Sequence, residues 1–198
     1  MARIIGITGG IASGKSTVTE FLRQQGYQVI DADQVVHELQ EPGERLYQAL
    51  LSAFGPAILQ EDGRLDRLKL GAMIFGNPEL LAKSSQIQNQ IIREELADRR
   101  DLLAETEDIF FMDLPLLFEL DYEAWFDQVW LVDVTEETQL SRLMTRNAFS
   151  QEEAEKRIAA QLSFQEKLKR ADVLIDNNGT VEETRHQIRD ALQKLERR

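Results

Sequence analysis

The chain of 198 residues has no cysteine. That absence removes a disulfide framework, a thiolate nucleophile and a cysteine-ligated zinc. Histidine is nearly missing as well. His37 and His186 are far apart in sequence, so a histidine-rich metal site is not expected. Proline occurs four times, with no proline-rich linker, low-complexity tract or internal repeat. No apolar run approaches the ~20 residues of a membrane-spanning helix, and the N-terminus enters a strand-like run without a signal-peptide core. The expectation is a cytoplasmic protein with no membrane partner. Base is in deficit: 23 Lys+Arg stand against 35 Asp+Glu, a formal net charge of −12. That balance argues against nonspecific binding to nucleic acid or anionic lipid.

The deficit is local. From Asp101 to Ser141 there are twelve acidic residues and no Lys or Arg, so this window carries the whole net charge. It reads either as a solvated acidic face or as acidity kept away from an anion-binding site.

What the chain has is alternation. Apolar, β-branched runs at Arg3–Thr8, Tyr27–Asp31, Ile109–Asp113, Val129–Asp133 and Asp172–Asp176 read as buried strands. Helical spacing marks Lys15–Gln25, Asp33–Leu39, Glu136–Arg146, Ser150–Arg170 and Val181–Leu195. Glu44 to Glu107 is largely helical, with breaks at Gly55-Pro56, Asp62-Gly63 and Gly76-Asn77-Pro78. The pattern predicts an α/β fold, a five-stranded parallel sheet flanked by helices. Two helical excursions, after the second strand and around residue 148, are candidate substrate-covering segments. Trp125 and Trp130 are expected in the core.

Between the first strand and the first helix lies Gly9-Gly10-Ile11-Ala12-Ser13-Gly14-Lys15-Ser16, followed by Thr17. The pattern G-x-x-x-x-G-K-[ST] in that context is a phosphate-binding loop. Its glycines let the backbone curl so that successive N–H groups face an anion, and the new helix adds its positive end. Lys15 reaches the β- and γ-phosphates, and the Ser16 hydroxyl suits Mg²⁺.

No Asn-Lys pair occurs, so the guanine-reading run of a GTPase is missing. Arg142 and Arg146 are four residues apart and share one helix face just before the break Asn147-Ala-Phe-Ser150. With Arg157, such arginines at a hinge can close over a transferring phosphoryl group. Phosphoryl transfer to an alcohol also needs a carboxylate to orient the hydroxyl. Asp31 and Asp33 end the second strand and share a side if the backbone stays extended; Asp33 is alternatively a helix cap. Asp113 ends the third strand and is the preferred Mg²⁺ carboxylate. Asp133 has the same form, and a plain strand-ending Asp is the alternative.

Taken together, Thr8–Ser16, Ile30-Asp-Ala-Asp33, Asp62-Gly-Arg-Leu-Asp-Arg67, Pro115-Leu-Leu-Phe-Glu119, Gln139 through Arg142 and Arg146 to Ser150, Arg157 with Gln161, and Ala171 through Asn177 to Gly179 resemble the dephospho-CoA kinase family over nearly the whole chain. The resemblance implies ATP-dependent, Mg²⁺-assisted phosphorylation of the ribose 3′-hydroxyl of dephospho-CoA. It implies a three-layer P-loop core (1–33, 105–140 and 171–198), a helical substrate-binding part (34–104) and a lid (141–170). Asp33 would act on the hydroxyl. Gly10 to Thr17 would bind ATP, with Lys15 and Ser16 on its phosphates and metal. Arg142 and Arg146 would be lid arginines, and Asn177 would sit near the adenine. Arg67 and the Pro115–Glu119 loop would face dephospho-CoA. No obligate protein partner is expected. The alternatives are a nucleoside or nucleotide monophosphate kinase, or a nucleotide-dependent regulatory protein. Two departures stand out: Ala12 where the family usually has Gly, and Asn89-Gln90 where it usually has His-Pro. The expected surface is polarised, with a positive cleft between loop and lid and the acidity turned outward except at Asp113.

Overall fold

The computed structural model describes residues 2–197. In chain order the elements are β1 (Arg3–Gly9), α1 (Lys15–Gln24), β2 (Val29–Asp31), α2 (Ala32–Leu39), α3 (Arg45–Phe54), α4 (Arg67–Ile74), α5 (Pro78–Ala104), β3 (Ile109–Asp113), β4 (Gln128–Asp133), α6 (Glu136–Asn147), α7 (Gln151–Ala159), α8 (Phe164–Arg170), β5 (Val173–Asp176) and α9 (Val181–Glu196). The chain divides into two compact units: one runs to Ile30 and resumes at Leu103, the other is Asp31–Leu102.

Among the described residues the strands form one five-stranded sheet of order β2-β3-β1-β4-β5. β1 is central and parallel to both neighbours, with Ile5 opposite Phe111 on one side and Ile7 opposite Trp130 on the other. Alternation sends Ile5, Ile7, Phe111, Trp130, Val132 and Ile175 to one face, where they bury against Val18 and Leu22 of α1 and Ile188 and Leu192 of α9. Each such aliphatic side chain contributes about 1.5–3 kcal/mol by leaving water. Phe111 meets Trp130 and Tyr27 edge-on at 5.3 and 5.4 Å. Trp130 is therefore core. Trp125 is half-buried against Tyr122, at 4.8 Å between ring centres. The Tyr27 hydroxyl donates to Glu196, and burial first, then that carboxylate, push its pKa up to about 12.

The expected single helix over Ser150–Arg170 is two. Ser163 restarts the chain as a cap: its hydroxyl accepts from the Glu166 N–H, and the Glu166 carboxylate accepts back from the Ser163 N–H. Ser150 with Glu153 and Thr180 with Glu183 repeat the device at α7 and α9. These bonds lower the pKa of all three glutamates, chiefly through the N–H of Ser150, the hydroxyl of Ser163 and the N–H of Thr180 respectively. A depressed carboxylate contributes stability that is complete above the unfolded value of about 4.3 and lost as pH falls through the folded value. The melting temperature should therefore decline on acidification below about pH 5. The triple variant E153Q/E166Q/E183Q keeps the caps without the titration. It should flatten that decline in melts followed by circular dichroism.

The second unit is helical. Leu39, Leu46, Leu50, Ile58 and Leu96 form its interior. The Tyr47 hydroxyl donates to the Gly63 carbonyl at 2.7 Å, closing the loop before α4. α5 starts on Pro78, whose missing N–H costs nothing at a first helical position, and Asn77 caps it by accepting from Glu79 and Leu80. Arg45 pairs with Glu94 and Arg99 with Glu38, joining α5 to α3 and α2. Asn89 and Gln90 are exposed on α5, and the Gln90 amide donates to Glu94. A proline at 90 would remove an interior helix bond; Gln keeps the 27-residue helix continuous.

Candidate active site

β1 delivers the chain into the phosphate loop and α1 takes it out. Gly14 is the turning point, with φ of 85°. A Cβ there would lie 2.2 Å from the Asn177 amide nitrogen, so only glycine fits by both conformation and space. α1 has no side-chain cap and no acidic residue in its first turn, so its leading N–H groups and positive dipole end remain available to an anion. Lys15 and Ser16 are its first two residues, half-buried and exposed respectively. The loop closes on itself where the Ser13 N–H donates to the Gly10 carbonyl at 3.0 Å.

Two side chains brace this turn from outside. The Ser13 carbonyl accepts from the Asn177 amide at 2.8 Å and from Arg142 at 3.4 Å. Arg142 also donates to the Asn177 carbonyl at 3.1 Å. Asn177 is buried, and its side-chain oxygen accepts from Thr184 at 2.9 Å. Its backbone N–H donates to Asp133. Asn177 was expected beside adenine as a ligand contact. Its amide is bonded on both sides and holds the loop. Arg142 is half-buried on the loop; Arg146, one turn later, is exposed and donates to Asn147. Arg157 lies over the Phe149 ring at 4.3 Å.

At the next strand, Leu114 donates to the Ile7 carbonyl and Asp113 pairs in register with Ile7, so Asp113 ends β3 just before the loop begins on β1. It is 8% exposed, whereas Asp101, Glu105, Asp108, Asp121, Asp127, Glu136 and Glu137 are at the surface. Asp133 is half-buried, and burial pushes its carboxyl pKa up, with Asp176 adding repulsion and the Val134 N–H opposing. Among the described residues no group of three or more His, Cys, Asp or Glu is placed to hold a metal. Ser16 and Asp113 supply hard oxygen donors. That set fits Mg²⁺, which retains waters and takes one or two protein oxygens plus substrate phosphates.

The Pro115 carbonyl accepts from the Thr8 hydroxyl at 3.4 Å, tying the loop after β3 to β1. Glu119, expected to face the acceptor substrate, points inward. It accepts from the Leu162 N–H at 3.2 Å and pairs at 2.8 Å with Lys167, which is 2% exposed. Lys167 also lines a cavity of about 700 Å³ beside Gly10, Ser13 and Gln161. Glu119→Leu would strand the Lys167 ammonium in the interior and should cost about 3–5 kcal/mol. The double variant with Lys167→Met should recover most of it. Urea unfolding of the single and double variants measures both.

In the second unit, the chain turns helical at Ala32, so Asp31 and Asp33 do not lie along one extended strand. Asp31 is the cap of α2, its carboxylate accepting from the Gln34 N–H at 3.1 Å. The cap role considered for Asp33 thus belongs to Asp31. Asp33 is exposed in the first turn of α2. Four residues on, His37 meets the Arg67 guanidinium at 2.7 Å from its Nδ1, and Arg67 donates to Gln40 at 2.9 Å. Arg67 lines a cavity of about 410 Å³ with His37, Gln40, Arg64 and Asp66. His37 carried no signal in the sequence beyond its place one helical turn after Asp33. In the sequence Gln139 and Gln161 stand only among the motifs that carry the family resemblance, with no role assigned to either. Both reach Ile11.

An anion cradle at an uncapped helix start after the central strand, with a lysine and a hydroxyl opening the helix, belongs to the P-loop phosphotransferases. Comparison with known proteins agrees. The family profile described as dephospho-CoA kinase matches residues 3–183. A Streptococcus mutans dephospho-CoA kinase is 61% identical, with 99% of each chain covered. A Thermus thermophilus protein of known crystal structure is 34% identical with a TM-score of 0.83, and the dephospho-CoA kinase from Campylobacter jejuni is 29% identical with a TM-score of 0.75; each alignment covers 98% of both chains. The chain belongs to the dephospho-CoA kinase family.

Proposed function

We propose the following division of labour for the family's reaction in this chain: transfer of the γ-phosphoryl group of ATP to the 3′-hydroxyl of dephospho-CoA, giving CoA and ADP, the last step of coenzyme A biosynthesis. The N–H groups of Gly10 to Thr17 that face into the loop cradle the phosphates, and Lys15 follows the transferring group with its charge. Ser16 and Asp113 would hold Mg²⁺, which when bound neutralises phosphate charge. Arg142 secures the loop, and Arg146, exposed at the end of α6, meets the transferring group when residues 141–170 close as a lid over the core (1–33, 105–140 and 171–198). Asp33 orients the acceptor hydroxyl and takes its proton. Arg67, held by His37 and Gln40, contacts dephospho-CoA from the helical part, residues 34–104, and Pro115 contacts it from the loop after β3. Asn177 and Glu119 act through the positions they hold. The reading places the enzyme in the cytoplasm, with its ATP, and every group it uses comes from the one chain. No described helix is long and apolar enough to cross a membrane.

The observation that carries this reading is the division between Asp31 and Asp33: capping consumes the first carboxylate and leaves the second exposed. A coupled assay with ATP, Mg²⁺ and a panel of acceptors tests it. ADP release should require dephospho-CoA and be unmoved by nucleosides and nucleoside monophosphates. Release no faster than with ATP alone would end the proposal.

A further inference from the structure

One residue of the phosphate loop is gripped on both of its backbone polar groups. The Ile11 N–H donates to Gln161 Oε1 at 2.7 Å, and the Ile11 carbonyl accepts from Gln139 Nε2 at 2.7 Å. Gln139 comes from α6, three residues before Arg142, and Gln161 lies just beyond α7. The fit is close: a Cβ on Gly10 would sit 2.5 Å from Gln139 Nε2. Gln161 is itself anchored, because its neighbour Leu162 donates to Glu119, the partner of buried Lys167.

The next residue, Ala12, has φ of 60°, in the left-handed region where an L side chain is strained. A strained dihedral persists only where the peptide groups on either side are fixed. On the far side, the Ser13 N–H donates to the Gly10 carbonyl at 3.0 Å, and Asn177 and Arg142 hold the Ser13 carbonyl just beyond it. On the near side, Gln139 and Gln161 hold Ile11. Without the near grip, Ala12 is free to relax to negative φ, turning the N–H groups of the loop away from a bound phosphate.

We propose that Gln139 and Gln161 are positioning residues for the nucleotide: by fixing the Ile11 backbone they keep Ala12 left-handed and the phosphate loop in its binding shape. This rests on the reading of the loop as the ATP site.

Gln139→Met and Gln161→Met keep side-chain length and remove the polar contacts. In calorimetric titration with Mg·ATP, each should weaken binding about tenfold, the equivalent of one strong hydrogen bond. KM for ATP should rise in step while kcat stays within about threefold, the pattern of a change in ground-state fit rather than in chemistry. Glycine takes positive φ without strain. Adding Ala12→Gly should therefore shrink each loss to less than about threefold relative to Ala12→Gly alone. Unchanged affinity in the single variants would overturn the proposal. So would a loss of equal size with and without Ala12→Gly, or a fall in kcat matching the fall in melting temperature. A wild-type enzyme that does not bind ATP would strike the reading of the site itself, and this inference with it.

Discussion

Lys15→Ala is expected to lower kcat/KM for ATP by about 10³-fold, the scale seen when a preorganised donor to a charge-bearing transition state is removed. The physical reason is local. Lys15 is the first residue of α1, so its stem leaves the helix beside the uncapped N–H groups proposed to hold the phosphates. Its ammonium is a mobile point charge that can follow the γ-phosphoryl group as negative charge shifts toward the leaving oxygen. The backbone cradle survives the substitution, because Gly14, Asn177 and Arg142 fix it without using the Lys15 side chain. ATP binding should therefore weaken far less than turnover does. Lys15→Met keeps the stem and should behave like the alanine variant, which separates charge from packing. Lys15→Arg should not restore full rate, since a planar guanidinium on a longer reach does not occupy the same point. The check is steady-state kinetics beside ATP titration. A variant within tenfold of wild type would contradict the assignment of this loop to phosphoryl transfer.

The strands and the phosphate loop were legible because each is written in a local pattern. An apolar β-branched run ending in Asp, or a Gly-Lys-Ser step before a helix, carries its meaning in adjacent residues. Ser163 was misread for want of weight on a signal that was present: Ser163-Phe-Gln-Glu166 has the same capping spacing as Ser150-Gln-Glu-Glu153. Other features depend on distance in space. The acidic window has no base of its own, yet Lys167 and Arg170 of α8 come back to pair with Glu119 and Glu123. No periodicity announces that pairing. Asn177 has a place near the adenine only through the family resemblance, and nothing local in the sequence marks it as a brace for the loop. Only the fold shows its amide turned onto Ser13 and Thr184. Residues that hold the site are thus harder to read than residues that form it, since partners such as Asn177 and Ser13, or Lys167 and Glu119, share no local window of sequence.

Asp33→Asn should cut kcat by about 10²–10⁴-fold with little change in ATP affinity, the range of a positioned general base. Asn fills the same volume and can still direct a hydrogen bond, but it cannot take the proton of the acceptor hydroxyl. Asp31→Asn is the matched control. The Asp31 carboxylate accepts from the Gln34 N–H as the cap of α2, and Asn caps a helix as well as Asp. That variant should keep its activity within about threefold and its stability within about 0.5 kcal/mol, because the cap survives and only a charge is lost. The two carboxylates are two residues apart, so a general effect of charge on the acceptor site would weaken both variants alike. A steep loss confined to Asp33 means that the chemistry needs its proton-accepting oxygen. Comparable losses at both positions would mean that the helix start, rather than Asp33, sets the rate, and the assignment of the base would move off this residue.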